Sequence, residues 1–207
     1  MSKDGLLCKK FLLNADWDGA RAASPENEKD LSSEDYANFA YARCFQVTKD
    51  HKDGNYNDVI EAASKALIKG KNGQNTRALC IRAYGHYLNN NYPAAIADCE
   101  SVIAQTSSII ETKKQQVIAA WQTAYEKMAE NEEAEEAEKE QREHNELLHD
   151  TVFAYELIGA IYAGMDSPLE ASKNYKQALL YRQFDIVSAS PLLMDAYREV
   201  CKRVKDA

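Results

Sequence analysis

Glycine and proline are scarce in this chain, which has 8 and 4 of them among its 207 residues. Alanine, glutamate, lysine and leucine are abundant instead, and these residue types favour helix over sheet. The composition therefore predicts an all-α fold. At roughly 100–200 residues per domain, the length leaves room for one compact domain or one solenoid.

An excess of positive charge is also missing, because the formal net charge is −8 at pH 7. Nucleic acids and anionic membranes both reward basic patches, so the charge argues against general binding to either. The apolar segment Leu6–Leu13 is short and interrupted by two lysines, which excludes a signal or membrane span. We expect a soluble cytoplasmic protein.

Cysteine motifs and catalytic signatures are absent from the sequence. Five cysteines are scattered without a Cys-x-x-Cys pair, which favours burial in a reducing cytosol. His144 and His149 are about 140° apart on a helix, so they do not share a face as zinc ligands would. No phosphate loop, nucleophile motif or paired-acid spacing occurs. We expect no enzymatic activity, no metal site and no cofactor.

The clearest pattern lies in Thr76–Ile103. Apolar residues recur there at three- and four-residue steps, namely Leu79, Ala83, Tyr87, Ala95, Cys99, Val102 and Ile103. This spacing predicts two helices with one apolar stripe each. The intervening Asn89–Pro93 suits a turn, because asparagine tolerates left-handed backbone and proline suits a first helical turn. The stretch therefore predicts a helical hairpin that needs neighbours to bury its stripes.

This hairpin resembles a tetratricopeptide repeat, a unit of about 34 residues. Leu79 sits at the Trp position of that family, Ala83 at its Gly and Ala95 at its invariant small residue. Arg82 at the usual Leu and His86 at the Tyr are departures. Residues 152–182 carry a second clear copy, with the family's Gly, and the other copies are degenerate.

The spacing of the expected turns supports the repeat. Trp17, Tyr56 and Tyr92 are 39 and 36 residues apart, and Pro168 lies 76 residues beyond Tyr92, which is two such steps. A further turn is therefore expected near Asn131.

That turn would fall in the acidic stretch Glu126–Glu143. Before the expected turn, apolar residues recur on one side of a helix. They are Val117, Ile118, Trp121, Ala124, Tyr125 and Met128. We favour a hairpin over 109–148. The alternative is one uninterrupted helix over about Ile109–Leu147, which Glu–Lys and Glu–Arg pairs would also support.

The resemblance implies a right-handed α-solenoid that forms a single domain over 1–207. About five hairpins are expected, at 4–30, 32–70, 75–106, 109–148 and 150–183, followed by a C-terminal capping helix at 190–205. Repeats of this kind need such an end helix to cover the last open face.

In this family, the first helices of successive repeats line a concave groove for extended or helical peptides. Carried over by position, the groove residues are Tyr36, Phe39, Arg43, Arg77, Ile81, Tyr84, Leu88, Phe153 and Leu157. The alternative is that several of these pack between helices. One subgroup clamps C-terminal carboxylates of chaperones, but Phe39 and Ile81 stand where it needs polar groups.

The resemblance thus implies a non-catalytic adaptor or co-chaperone that holds a partner segment. Two alternatives stay open: a dedicated chaperone for secreted proteins, and a structural subunit that uses its convex face and end helix. The Glu126–Glu143 stretch is either a solvated helix face or a surface that attracts a basic partner.

Overall fold

The computed structural model describes residues 32–33, 35–38, 40, 56–70, 75–126, 131–182 and 191–205. Six helices have defined bounds in this part of the chain: α1 (Asn57–Lys69), α2 (Thr76–Leu88), α3 (Tyr92–Glu126), α4 (Asn131–Gly164), α5 (Pro168–Arg182) and α6 (Pro191–Lys205). The described residues contain no strand, and the predicted all-α fold class is confirmed. No helix within these ranges is long and apolar enough to cross a membrane.

The chain expected to form a single domain contains two compact units, Met1–Ser101 and Val102–Ala207. The first has a buried cluster formed by Ala40, Val59, Ala62, Ala63 and Ile81. The second has a cluster formed by Val152, Ala171, Tyr175, Ala178 and Val200. In the second unit α6, the helix expected at 190–205, packs on α5 and contributes Val200 to that cluster.

Helix α1 buries residues at positions i, i+3, i+4 and i+7, which form one stripe: Val59, Ala62, Ala63 and Ala66. The Ala66 carbonyl accepts bonds from the Gly70 N–H at 2.9 Å and the Ser33 hydroxyl at 2.7 Å. Asn75 caps α2 by accepting the Ala78 N–H at 2.9 Å, and its amide donates to Ser33. The two helix ends are therefore held by one shared polar network.

The turn between α2 and α3 and the turn between α4 and α5 have the same geometry. Asn90 and Asp166 have φ values of 59° and 57°, in the left-handed region that asparagine and aspartate tolerate. The residue after each one donates its N–H to a carbonyl of the preceding helix, Asn91 to His86 at 2.8 Å and Ser167 to Tyr162 at 2.9 Å. Both turns lie where the sequence predicts them.

The expected boundaries between hairpins at 106–109 and at 148–150 are corrected by the structure, since α3 and α4 run through them without a break. Neither glycine nor proline occurs at 106–109 or at 148–150, so the strongest helix breakers are absent from these two boundaries. The threonines at these points fit the helix because Thr106 and Thr151 donate their hydroxyls to carbonyls four residues back.

The part of α3 that belongs to the second unit lies beside α4. Lys113 forms ion pairs with Glu140, at 3.1 Å, and with Glu143. In one continuous helix Lys113 and Glu140 would be about 40 Å apart, at 1.5 Å per residue. The buried hydroxyls of Thr106 and Thr151 also meet, at 2.7 Å. These contacts exclude one uninterrupted helix over Ile109–Leu147.

Candidate partner-binding surface

Three of the predicted groove residues are buried. Tyr36 is 6% exposed, with the Lys69 ammonium 5.2 Å from its ring centre. Ile81 is 5% exposed within the core of the first unit, and Leu157 is 6% exposed in the second. In this structure these three side chains offer little surface to a partner.

Four other predicted groove residues are partly buried. Arg77, Tyr84 and Leu88 share one face of α2, and Phe153 lies on α4. Tyr84 packs against the core of the first unit and stacks on Tyr87 with ring centres 6.1 Å apart. The remaining two, Phe39 and Arg43, lie outside the described residues. The groove assignment stays a prediction.

A bidentate ion pair joins α2 to α3. Arg82 donates from Nε and Nη2 to the two carboxylate oxygens of Asp98, at 2.8 and 2.6 Å. The hydrogen bonds to Asp98 raise the pKa of the Arg82 guanidinium. Arg82, which departs from the leucine of the resembled repeat, therefore has a counter-charge within the same hairpin. Sequence reasoning missed Asp98, although a 16-residue separation across a predicted hairpin could have revealed it.

Three of the four exposed large apolar residues of α3 lie on one side of the helix, and the fourth, Ile109, lies on the other side. Ile118, Trp121 and Tyr125 are 42%, 43% and 86% exposed. Their spacing of three and four residues aligns them along the helix axis. Val117 and Ala124 are buried on the neighbouring face, so the exposed residues lie beside the contact with α4.

The other flank of α3 is different. The exposed residues there are Thr112, Gln116, Ala119 and Thr123. They follow the same three- and four-residue steps on the opposite side of the helix. None of these four is a large apolar residue, whereas Ile109, three residues before Thr112 on the same flank, is 43% exposed. The first flank is therefore distinguished by three successive exposed large apolar residues, two of them aromatic, rather than by apolar exposure as such.

The apolar flank continues toward the start of α3 as one row with steps of four, three, four, three and four residues. We define the α3 row as Ser107, Glu111, Lys114, Ile118, Trp121 and Tyr125. Its first half lines a cleft of about 260 Å³ together with Ile110, His144, Gln177, Leu180 and Tyr181. Within the described residues, no three His, Cys, Asp or Glu side chains are grouped so that they could hold a metal ion.

The first half of α4 is strongly acidic. Residues 131–143 contain seven glutamates against Lys139 and Arg142. Lys139 pairs with Glu136 at 3.4 Å, and Arg142 pairs with Glu138 at 3.5 Å. These side chains are more than half exposed, so the pairs are weak and leave a negative field in solvent.

Comparison with known proteins gives a weak structural likeness and no family. No family model matches the chain, and no curated protein matches it either. The chain is similar to the crystal structure of MamA, with 22% identity, a match that covers 88% of this chain and 96% of that chain, and a TM-score of 0.37. At that TM-score the likeness carries no information about the surface on α3.

Proposed function

We propose that this chain is a non-catalytic scaffold that holds a segment of a partner protein on the α3 row. The observation that carries the proposal is the exposure of Ile118, Trp121 and Tyr125 side by side on one flank of α3. Contiguous exposed apolar patches on soluble proteins mark interaction sites. Aromatic side chains are also the type that supplies binding energy when a partner removes them from water.

Two sets of contacts join the helix that carries the row to α4. The ion pairs of Lys113 with Glu140 and Glu143 fix one flank of α3 to α4. The buried hydroxyl contact between Thr106 and Thr151 fixes the two helices closer to the core. A surface that is already ordered loses little conformational entropy when a partner docks, which favours binding.

The proposal covers an adaptor and a co-chaperone alike, because both hold a partner segment without chemistry. It differs from the predicted groove in its location. The groove residues Tyr36, Ile81 and Leu157 are buried, whereas the row is open to solvent. Arg77 and Leu88 keep some exposure on α2, so they define the rival surface to be tested.

The test is affinity purification of partners with three variants of the chain. The double variant Trp121→Ala/Tyr125→Ala is expected to lose its partner while it keeps its helical circular dichroism. A matched control, Gln116→Ala/Thr123→Ala on the other flank of α3, should recover the partner as the wild type does.

Arg77→Glu provides the comparison with the groove. Recovery that is lost only with this variant would place the binding surface on α2. Recovery that survives all three variants would refute the proposal.

A further inference from the structure

We infer that the α3 row receives an amphipathic helix that carries lysine or arginine beside its apolar stripe. This inference rests on the proposed function and names the class of partner. It combines three observations, which concern the spacing of the row, the cleft at one end of it and the charge of the helix beside it.

The spacing of the row matches a helical partner. The row spans 18 residues in five steps, so it runs nearly straight along one face of α3. A partner helix that packs at a small crossing angle can contact such a row along its length. The row runs for about five turns, or about 27 Å at 1.5 Å per residue. An extended strand would instead present side chains every second residue and would leave this row out of register.

The two halves of the row offer different contacts to that helix. Ile118, Trp121 and Tyr125 supply an apolar half. In the other half the cleft has room for one large side chain of the partner, bounded by Ile110 and Tyr181. A helix seated on the row would therefore bury its stripe on the aromatic residues and insert one residue into the cleft.

The negative charge of α4 beside the row determines which charged residues the partner helix can carry on its flanks. Helices α3 and α4 are antiparallel, and Lys113 pairs with Glu140 and Glu143. Residues further along α3, from Ile118 to Tyr125, therefore lie beside the first turns of α4. Glu135 and Glu138 are exposed there. A partner with positive charge on that flank is attracted, and a partner with negative charge is repelled.

The negative field of α4 also argues against a second copy of this chain as the occupant of the α3 row. Two copies joined through the α3 row would bring the acidic first turns of both α4 helices to one interface. The net charge of −8 per chain adds long-range repulsion. A basic helix from a different protein meets no such cost.

The test uses a display library of 18-residue helical peptides and the full chain. Leucine or phenylalanine is fixed at 3.5-residue spacing, and the flanking positions vary among Lys, Glu, Gln and Ser. Selection on the wild type is paired with counter-selection on Trp121→Ala/Tyr125→Ala. Lysine is expected to be enriched over glutamate, and the selected peptides should bind the double variant about 30-fold more weakly.

Charge reversal on the protein is the matched control for electrostatics. Glu135→Lys/Glu138→Lys should shift the selection from lysine to glutamate, and added salt should reduce the preference of the wild type. Equal enrichment of lysine and glutamate would overturn the inference. So would peptides that bind the double variant as well as the wild type, or no enrichment at all. Light scattering could instead show that the wild type is a dimer and that Trp121→Ala is a monomer. That result would assign the row to a second copy of this chain and overturn the inference.

The two proposals fail separately. If purification loses the partner with the double variant while the peptide selection shows no preference for lysine, the scaffold function stands and the basic helix is wrong. If the double variant retains the partner, the proposal that the α3 row holds the partner is refuted, whatever the peptides bind.

Discussion

Helix α2 and the second half of α3 differ in how much of their surface is covered. Six residues of α2 are buried: Ala78, Leu79, Cys80, Ile81, Ala83 and Gly85. In the second half of α3, the buried residues are Ile110, Val117 and Ala124. Both helices are rich in apolar side chains. The comparison shows that an apolar residue is buried only where another element packs on it. A row that no element covers gains free energy when a partner removes it from water.

Helix α2 also has a counterpart 76 residues further along the chain, which is the last part of α4. The turns after α2 and α4 share their hydrogen bonds, but the packing beside them differs. Arg82 and Asp98 correspond to Ile158 and Asn174, while Ala83 and Cys99 correspond to Gly159 and Tyr175. The first hairpin joins its helices by the Arg82–Asp98 ion pair, and the second places the ring of Tyr175 against Gly159.

The largest expected effect comes from breaking the ion pair. Asp98→Asn copies Asn174 and leaves the Arg82 guanidinium, 27% exposed, without its counter-charge. We expect a loss of about 2–3 kcal/mol in the free energy of unfolding, measured by guanidinium chloride titration of the circular dichroism.

Adding Arg82→Ile then copies Ile158 and removes the unpaired charge. The double variant should recover at least half of the lost stability, since apolar residues can replace a buried pair. A double variant that is less stable than Asp98→Asn alone would contradict the equivalence of the two hairpins.

A smaller loss of stability is expected from substituting Gly159 in the second hairpin. A Cβ added at Gly159 would lie 2.7 Å from the ring of Tyr175, which is buried. Gly159→Ala should therefore cost about 1–2 kcal/mol, although alanine is the better helix former. The thermal unfolding midpoint measures this change.

Gly164 provides the matched control, because a Cβ there meets nothing within 4 Å. Gly164→Ala should leave the midpoint unchanged or raise it. Adding Tyr175→Cys, which copies Cys99, should make Gly159→Ala less costly than it is beside tyrosine. Equal costs in both backgrounds would show that the ring does not set the size of residue 159.

The smallest loss of stability is expected from removing the ion pair between Lys113 on α3 and Glu143 on α4. The hydrogen bond from Lys113 lowers the pKa of Glu143. A lowered folded-state pKa stabilises the protein above the ordinary pKa of glutamate, and this contribution is lost as the pH falls through the lowered value. Because Glu143 is 44% exposed, we expect about 0.5 kcal/mol.

Glu143→Gln should therefore lower the thermal unfolding midpoint at pH 7 and should have a smaller effect at pH 3. The difference between variant and wild type, measured at both pH values, checks the prediction. A difference that is the same at both would show that the ion pair is not responsible.

The sequence predicted the turns because their residues have strong local preferences, as Asn90 and Pro93 do. It did not predict that α3 and α4 run through 106–109 and 148–150, because the repeat spacing outweighed the absence of glycine and proline there. It placed Ile118, Trp121 and Tyr125 on one side of a helix together with Val117 and Ala124. Their separation into exposed and buried residues depends on where α4 packs, which local pattern does not contain.

The binding surface on α3 is the central claim, and site-specific photo-crosslinking tests it most directly. A benzophenone amino acid is placed at Tyr125, which is 86% exposed in the row, or at Ala119, which is exposed on the other flank of the same helix. We predict that irradiation of the purified complex joins the partner to position 125 and not to position 119. Crosslinking only at position 119, or at neither position while a probe at Arg77 reacts, would contradict the account.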